Sequence, residues 1–289
     1  MRGRVCFHRQ HSLQPEWDAI AGSFSNPKSS KTNGPARQGP NAASTAPANK
    51  TAADKNRNRK CYYVASVARP IPKPKTAAER QARVQKILEG LDRMYPAATC
   101  ALHHSNPWEL LVATILSAQC TDKRVNEVTP GLFRKYPTIE DFAAASQPEL
   151  AQDIRSTGFF NNKSKSVIGA ARKIIADFDG QIPRDIDKLL TVPGAARKTA
   201  NVVLGTAFGI ASGVVVDTHV QRIARRLDLT RHTDPPKIEK DLMKIIPQQK
   251  WILFSHQVIL HGRALCAARH PVCAECRLNP LCYAKDKVV

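Results

Sequence analysis

The sequence predicts an all-α protein, and three observations favour this fold class. Aromatic residues make up only 6% of the 289-residue chain, and strand-like runs rich in Val, Ile, Thr and Tyr are scarce. Helix-capping residues recur along the chain and are followed by apolar residues at helical spacing. Only one short run, Val214–Val216, looks strand-like. Because 42% of the residues are hydrophobic, the chain can bury a sizeable core between its helices.

Residues 1–75 differ in composition from the rest and are expected to form a disordered basic N-terminal extension. They hold 14 Lys or Arg against 3 Asp or Glu, and residues 26–59 are small, polar or charged apart from Pro and Gly. Such a segment cannot bury enough apolar surface to offset its chain entropy. An alternative is that translation starts downstream at a non-Met codon, such as that of Val64 or Val67, since the second methionine is Met94.

The first two predicted helices begin at clear capping signals. Thr76 and Glu79 have the spacing of a capping box, and the apolar residues that follow at helical spacing are Val84, Ile87, Leu88 and Leu91. Asn106 precedes Pro107 as a cap before a first-turn proline. The apolar face of this second helix leads on to Gln119, which we expect at the end of the helix.

The rest of the chain also reads as helical. Ser146 and Glu149 form a further predicted capping pair. The later helices are predicted at 161–178, 184–190, 197–208, 218–229, 235–246 and 251–265.

The charge of the chain points to a polyanionic partner. Its formal net charge is +20, and residues 76–289 still carry 30 Lys or Arg against 21 Asp or Glu. Nucleic acid is the commonest partner of a protein this basic. No apolar run approaches membrane-spanning length, and no secretory signal is evident at the N-terminus.

Four of the eight cysteines lie in the last 24 residues, which suggests metal binding in a reducing compartment. Cys266, Cys273, Cys276 and Cys282 have the spacing C-x6-C-x2-C-x5-C. Four thiolates this close in sequence suit a tetrahedral zinc ion or a [4Fe–4S] cluster, and the spacing alone leaves both open. The remaining cysteines, which have no ligand-like spacing, are expected to be ordinary thiols: Cys6, Cys61, Cys100 and Cys120.

The segment from Leu189 to Ala200 joins two predicted helices through a tight Pro-Gly turn. Such a turn points the free amides of the second helix towards solvent, where they and the helix dipole suit a backbone phosphate. A plain helix-to-helix corner is the alternative. Lys198 lies at the start of the second helix, where partial burial and the helix N-terminus would lower its pKa and favour nucleophilic attack. A simple phosphate contact is the alternative for this lysine.

Asp217 follows the apolar run and opens the helix that starts at Thr218. A helix N-cap explains an aspartate at this position, and a catalytic carboxylate is the second interpretation. Both roles are compatible in one residue.

Together these motifs resemble the endonuclease III family, over about residues 76–289. The run from Val192 to Asn201 resembles its helix-hairpin-helix, with Ala196 where the family pattern has a second Gly. The resemblance implies that Lys198 is a Schiff-base nucleophile, and that Asp217 helps to deprotonate the amine. It implies DNA contacts through the hairpin residues Gly194, Ala195, Ala196 and Thr199, whereas His219 is expected to be structural or a DNA contact.

Two further segments resemble parts of the family that enter the duplex when a base is flipped out. The segment 116–122 is similar to the one whose glutamine fills the vacated space, which implies this role for Gln119. The segment 156–161 is similar to the second wedge loop, with Phe159 at the apolar wedge position. The alternatives are a polar helix end for Gln119 and, for Phe159, a core position beside an adjacent phenylalanine.

The resemblance also implies the cofactor and the architecture. The cysteine loop, 266–282, matches the family's [4Fe–4S] loop, which favours iron over zinc. Two helical lobes are expected: a six-helix barrel with the helix-hairpin-helix at 100–210, and a cluster lobe formed by 76–99 and 211–289.

The implied activity is that of a bifunctional DNA glycosylase and abasic-site lyase. It would remove oxidised pyrimidines from double-stranded DNA and cut the strand 3′ to the site by β-elimination. We expect a monomer that binds damaged bases or abasic sites and needs no membrane, and a cytoplasmic, nucleoid-associated location if the protein is bacterial. The rival hypotheses are a monofunctional adenine or mismatch glycosylase, which would lack the lysine, and a non-catalytic DNA-binding module with a structural metal.

Overall fold

The computed structural model describes residues 71–288, and within this range the regular secondary structure is helical. Eleven α-helices follow one another in this range: α1 Ala77–Met94, α2 Pro107–Leu116, α3 Asp122–Lys135, α4 Ile139–Ala144, α5 Gln147–Asp153, α6 Phe160–Phe178, α7 Ile186–Leu190, α8 Arg197–Phe208, α9 Thr218–Arg226, α10 Pro235–Ile245 and α11 Trp251–Ala264. Short 3-10 turns lie at Arg155–Thr157, Gln248–Lys250 and Asn279–Leu281. The predicted all-α class is confirmed. Among the helices of residues 71–288, none combines the length and the apolar character that a membrane span requires.

Of the caps predicted for α1, α2 and α5, the first two form as expected. The Thr76 hydroxyl accepts the Glu79 N–H while the Glu79 carboxylate accepts the Thr76 N–H, which completes a capping box at the start of α1. The Asn106 side chain caps α2 ahead of Pro107. The predicted capping pair at α5 is wrong: Ser146 makes no side-chain cap hydrogen bond. Glu149, which we predicted to pair with Ser146, instead forms an ion pair with Lys135, and the Lys135 Nζ lies 2.8 Å from the Glu149 Oε1.

The strand-like run Val214–Val216 is not a strand, which corrects the sequence-based expectation. It is an irregular segment whose side chains are buried. The Val215 N–H donates to the Ser255 hydroxyl at 3.0 Å, so α11 supplies a hydrogen bond that a neighbouring strand would otherwise make. Valine is common at buried positions as well as in strands, so three buried valines in a row imitate a strand in the sequence.

The first hydrophobic core is built by the helices from α2 to α8. Residues Leu110–Ala113 of α2 are fully buried, so this helix runs through the centre of the core. Helix α6 packs against α4 and α5, and α8 packs against α2. The hairpin helix α8 is therefore anchored on one side by the most buried helix of this lobe.

The second core brings together parts of the chain that are distant in sequence. Helix α1 packs against α11, and α9 packs against both α10 and α11. The partly buried Cys266, Cys276 and Cys282 pack on the same core. These two cores correspond to the two helical lobes of the predicted fold class. The lobe boundaries that we predicted, 100–210 for one and 76–99 with 211–289 for the other, stay a prediction.

The predicted N-terminal extension, residues 1–75, falls outside the described residues except for its last five. Among these five, the Ile71 N–H donates to the Pro280 carbonyl at 3.0 Å. The Tyr283 hydroxyl donates to the Pro72 carbonyl at 3.1 Å. The chain from residue 71 therefore docks on the C-terminal segment, and the expected disorder does not hold for these five residues.

A buried carboxylate joins the two lobes. Glu239 of α10, only 5% exposed, accepts from the Arg197 Nε at 2.7 Å and from the Asn201 Nδ2 at 2.8 Å, both on α8. The Ser212 hydroxyl donates to the Asn201 Oδ1 at 2.9 Å. Gly213 lies against this network: a Cβ there would overlap the Glu239 carboxylate and lie 2.7 Å from the Asn201 Nδ2.

Substitution of Gly213 tests how much this network contributes to stability. Gly213→Ala should lower the free energy of unfolding by roughly 1–3 kcal/mol, because the added methyl group must separate buried hydrogen-bond partners. Gly131→Ala is the matched control: it lies inside α3 with nothing within 4 Å of the new Cβ, and should stabilise by about 0.5–1 kcal/mol. Urea denaturation measures both. Equal effects at the two glycines would mean that the Glu239 network is loosely packed.

Candidate active site

The hairpin turn between α7 and α8 leaves the start of α8 open to an anion. Gly194 has φ of +80°, and a Cβ there would lie 3.0 Å from the Ile115 Cδ1 and 3.1 Å from the Ser166 Cβ, so the turn requires glycine. Ala196 is the N-cap of α8 and offers no side-chain hydrogen bond. The first-turn amides therefore remain available to an anionic group.

The alanine that replaces the family's second glycine does not distort the turn. Ala196 has φ of −64° and ψ of 166°, a backbone conformation that any residue adopts. Its neighbour Ala195 is buried, and the Ala195 N–H donates to the Val192 carbonyl at 3.0 Å. Of the four hairpin residues with predicted DNA contacts, Ala195 is thus the one whose amide is already used inside the turn.

Lys198 and Asp217 line the same cavity, whose volume is about 90 Å³. Lys198 is the second residue of α8, and its side chain is exposed. The partial burial that we expected for this lysine was beside bound DNA and stays a prediction, whereas its position at a helix N-terminus is as predicted. The structure brings together two side chains that come from different helices and lie 19 positions apart in the chain.

Asp217 is held by the first turn of α9. Its Oδ1 accepts the N–H groups of His219 and Val220, each at 2.8 Å, so the residue is the N-cap of the helix. Its Oδ2 lies 2.9 Å from the His219 Nδ1. The carboxylate is thus fixed in orientation at the cavity, and the N-cap role leaves its chemical role open.

Other charged groups around this cavity were not identified from the sequence. Arg263 of α11 pairs with Asp122 of α3 at 2.6 Å, and both line the cavity. His256 also lines it, and burial lowers the pKa of this histidine, which favours the neutral imidazole. The ion-paired residues lie 141 positions apart, so no local spacing could have revealed them.

A second cavity, of about 360 Å³, collects most of the predicted wedge and hairpin residues. Its lining includes Gln119, Phe159, Gly194, Ala196 and Thr199. The expectation that Gln119 ends a helix is wrong, because α2 ends at Leu116 and Gln119 lies beyond it with φ of +54°. His219 lies instead beside Asp217, as described above.

Phe159 projects from the surface. It is 61% exposed, and it has φ of +48° in the turn that precedes α6. Phe160, the next residue, packs on the first core. Of the two adjacent phenylalanines, one therefore faces solvent and the other faces the protein, which is the arrangement that a wedge at this position requires.

The four C-terminal cysteines line one cavity of the second lobe together with Leu265, Val272 and Leu278. Within residues 71–288, no three His, Cys, Asp or Glu side chains converge closely enough to hold a single bare metal ion. Burial raises the pKa of Cys276 to about 11, and burial also raises the pKa of Cys282. A cation that binds here must therefore displace protons from these thiols.

Two of the four cysteine sulfurs, those of Cys266 and Cys276, lie beside nitrogen atoms of other side chains. The Arg226 Nη1 lies 3.2 Å from the Cys266 Sγ and donates to the Ala267 carbonyl at 2.7 Å. The His261 Nε2 lies 3.5 Å from the Cys276 Sγ. Of the cysteines expected to be ordinary thiols, Cys100 and Cys120 are half-buried, and the other two lie outside the described residues.

The sequence is similar to a known family and to curated relatives within it. Residues 112–248 match the HhH-GPD superfamily of base excision DNA repair proteins. Endonuclease III of Synechocystis sp. (strain PCC 6803) is 57% identical over 205 residues, which cover 71% of this chain and 94% of the relative. Endonuclease III of Bacillus subtilis (strain 168) is 46% identical, with the same coverage of both chains. That of Escherichia coli (strain K12) is 36% identical and is covered over 98% of its length.

Solved structures of endonuclease III and of a related glycosylase are also similar to this chain. A trapped endonuclease III–DNA covalent intermediate is 45% identical, with a TM-score of 0.68 and coverage of 70% of this chain and 95% of the other. A non-covalent endonuclease III–DNA complex has the same identity, TM-score and coverage. A thermostable thymine-DNA glycosylase, 23% identical with a TM-score of 0.65, shares the fold.

A capping side chain at position 196 tests whether the N-terminus of α8 binds a DNA phosphate. Ala196→Asp should stabilise the protein by about 1 kcal/mol, because Asp is a favoured N-cap and its charge suits the helix dipole. The same carboxylate would repel a phosphate, so affinity for double-stranded DNA should fall roughly tenfold. Ala196→Ser is the control, since it caps the helix without adding charge and should retain more of the affinity. Thermal unfolding and fluorescence anisotropy measure the two effects. Wild-type affinity in Ala196→Asp would exclude this helix end as a phosphate contact.

Proposed function

The chain belongs to the endonuclease III family, within the HhH-GPD superfamily of base excision DNA repair proteins, and from this premise we propose that Lys198 and Asp217 carry out its chemistry. The protein is a DNA glycosylase and abasic-site lyase that acts on damaged duplex DNA. The observation that carries the assignment is the shared cavity, which Lys198 enters from the start of α8 and Asp217 from the start of α9.

The proposed reaction has two stages. The neutral amine of Lys198 attacks C1′ of the damaged nucleotide, and the base leaves with the electrons of the broken glycosidic bond. Asp217 accepts a proton from the amine and stabilises the positive charge that develops on the sugar. The nitrogen lone pair then breaks the C1′–O4′ bond, and the ring oxygen O4′ takes up a proton, which opens the sugar and leaves a Schiff base between C1′ and Lys198. This Schiff base makes the C2′ proton acidic. Loss of that proton to solvent forms the C2′–C3′ double bond, breaks the C3′–O bond, expels the 3′ phosphate and so cuts the strand. Hydrolysis of the Schiff base then frees Lys198.

Lys198 is exposed in the protein alone, so the water around its amine must be excluded by bound DNA. Only the neutral amine attacks carbon, and bound DNA would cover a side chain that is open to solvent in the protein alone. The two elements that would exclude water are then the helix start and the DNA itself. Oxidised pyrimidines are the proposed substrates.

The remaining predicted contacts form one surface in this proposal. The amides of Gly194 and Ala196 at the hairpin, with the Thr199 hydroxyl, would contact the phosphate backbone. Gln119 and Phe159 would enter the helix from opposite sides of the extruded nucleotide. Support comes from the cavity that all five residues line and from the exposure of the Phe159 ring. His219 would position the Asp217 carboxylate through its Nδ1.

We also propose that Cys266, Cys273, Cys276 and Cys282 hold a [4Fe–4S] cluster. Four thiols around one cavity, with the Arg226 guanidinium beside the Cys266 sulfur, fit the charge and donor type of such a group. When bound, the cluster would supply folding energy to the C-terminal loop, because the ligands are brought together only in the folded chain.

Reductive trapping tests the nucleophile. Borohydride should cross-link the wild-type protein to abasic DNA by reducing the Schiff base to an amine. Lys198→Gln should lose the cross-link but keep most of its DNA affinity, since one charge is a small part of the electrostatic total. Lys188→Gln, which removes an exposed lysine on the first hairpin helix, is the control and should cross-link normally. Cross-linking by Lys198→Gln would identify another amine as the nucleophile.

Asp217→Asn separates the N-cap role of Asp217 from its proposed role in base removal. Asn caps helices as well as Asp does, so the melting temperature should change little. Base removal should slow by about 10²–10⁴-fold, the usual contribution of a general acid–base group. Single-turnover rates on a duplex with one oxidised pyrimidine give the measurement. A wild-type rate would leave Asp217 as an N-cap only.

Metal analysis tests the cysteine loop. Protein purified without oxygen should contain about four irons per chain, and Cys276→Ser should lose them together with the stability of the C-terminal lobe. Cys120→Ser, outside the loop, is the control and should retain the iron. Stoichiometric zinc without iron, in protein expressed with ample iron, would contradict the cluster and identify the loop as a zinc site.

A further inference from the structure

Lys163 of α6 is a lysine with almost no contact with solvent. Its exposure is 4%, and burial lowers the pKa of its ammonium group, an effect that the neighbouring Cys120 opposes. A buried ammonium is costly unless each of its protons finds an acceptor. The Nζ donates to the Leu116 carbonyl at 2.7 Å and to the Thr157 carbonyl at 2.8 Å.

The two acceptors stand at the bases of two different loops. Leu116 is the last residue of α2, where backbone carbonyls have no partner within the helix and the helix dipole favours a cation. Thr157 ends the 3-10 turn between α5 and α6. One ammonium group therefore joins two segments that lie 41 positions apart in the chain.

Each loop carries one of the two side chains proposed to enter DNA. Gln119 lies three residues after Leu116, and Phe159 lies two residues after Thr157. Both have a left-handed backbone, with φ of +54° and +48°, which costs a non-glycine residue free energy and persists only where the surroundings impose it. The backbone of position 163 is also tied to Phe159, because its N–H donates to the Phe159 carbonyl at 3.0 Å in the first turn of α6, so the side chain starts from a fixed point beside the loop.

We propose that Lys163 is the positioning residue of the DNA-entering pair: by linking the end of α2 to the turn before α6, it holds Gln119 and Phe159 at the separation needed to open the base stack. The proposal rests on the proposed function of these two side chains. Lys163 touches neither substrate nor reacting atoms in it. Lys163 therefore raises the rate of base removal when a stacked base must be extruded, and it has no effect on this rate when the stack is already open.

A purely structural cross-link is the competing explanation, and the choice of substrate separates the two. The same oxidised pyrimidine is placed in a fully paired duplex and in a bubble of unpaired bases flanked by duplex. Both offer the same bond to break, but extrusion costs unstacking energy only in the paired duplex. A merely structural role would slow both substrates equally.

Lys163→Met should slow single-turnover base removal from the paired duplex by about 10²-fold, the effect of a misplacement of about 1 Å at a reacting assembly. On the bubble its rate should stay within about threefold of the wild type, since no stack has to be opened. Lys163→Arg, which keeps the charge and the donors, should restore much of the duplex rate. Lys165→Met removes an exposed lysine two residues along α6 and is the control for loss of charge.

A double-mutant comparison asks whether Lys163 acts through the wedge. If it does, Lys163→Met should cost far less in a Phe159→Ala, Gln119→Ala background than in the wild type, because the two changes remove the same step. Fluorescence of 2-aminopurine beside the lesion reports base unstacking without any chemistry. It should rise on binding of the wild type and much less on binding of Lys163→Met.

The outcomes are distinct. Equal losses on duplex and bubble, additivity with the double variant, or a wild-type duplex rate in Lys163→Met would each overturn the proposal. If Lys163→Met does not fold, as its melting curve would reveal, Lys163→Gln is measured in its place with the same expectations. Absence of base removal by the wild-type protein on every substrate would reject the proposed function itself, and the 2-aminopurine signal would still test the role of Lys163.

Discussion

The carboxylate of Glu239 is buried between helices that belong to different hydrophobic cores. It accepts hydrogen bonds from the side chains of Arg197 and Asn201 on α8. The Asn201 side-chain oxygen accepts a further hydrogen bond from the Ser212 hydroxyl. The Glu239 carboxylate is buried, whereas Arg197 is half exposed. Removal of either partner would leave a buried carboxylate with an unmet hydrogen bond, which is costly, so the bonds favour the arrangement in which α8 and α10 meet. Here they fix the hairpin helix against the second lobe.

The geometry of the candidate active site follows from that constraint. Arg197 immediately precedes Lys198, and Ser212 lies five residues before Asp217, so one network holds both chain segments that carry the proposed catalytic pair. The Arg263–Asp122 ion pair, at 2.6 Å, connects helices of the same two lobes and lines the cavity. The cavity is therefore held by polar contacts between lobes, while each lobe keeps its own apolar core.

Two of the five non-glycine residues with positive φ in residues 71–288 lie where the protein is proposed to meet DNA. Gln119, Phe159 and Gly194 all have positive φ, and all three line the cavity beside the hairpin. Such conformations persist when packing and hydrogen bonds around them compensate for their cost. Close packing of Gly194 against Ile115, and the bonds from Lys163 to both loop bases, supply that compensation. A rigid surface of this kind loses little conformational entropy on binding.

The sequence alone determined the features that depend on neighbouring residues. The all-α class, the capping box at Thr76, the hairpin turn with its glycine and the Asp217 cap are each encoded within about one helical turn, so propensity and spacing reveal them. The cysteine spacing likewise predicts a metal-binding loop, and the motifs in series pointed to the family that the comparisons show. Local signals misled where burial imitates strand propensity, at Val214–Val216, and where a capping residue found a tertiary partner instead, at Glu149.

Only the tertiary structure decided how distant residues meet. Glu239 lies 42 positions from Arg197, Lys163 lies 47 from Leu116, and Arg263 lies 141 from Asp122, and no periodicity links such pairs. The exposure of Lys198 is of the same kind, because it depends on how far the second lobe covers the start of α8. A single sequence specifies these contacts only through the packing of two cores, since each polar group finds its partner where folding has already brought the helices together.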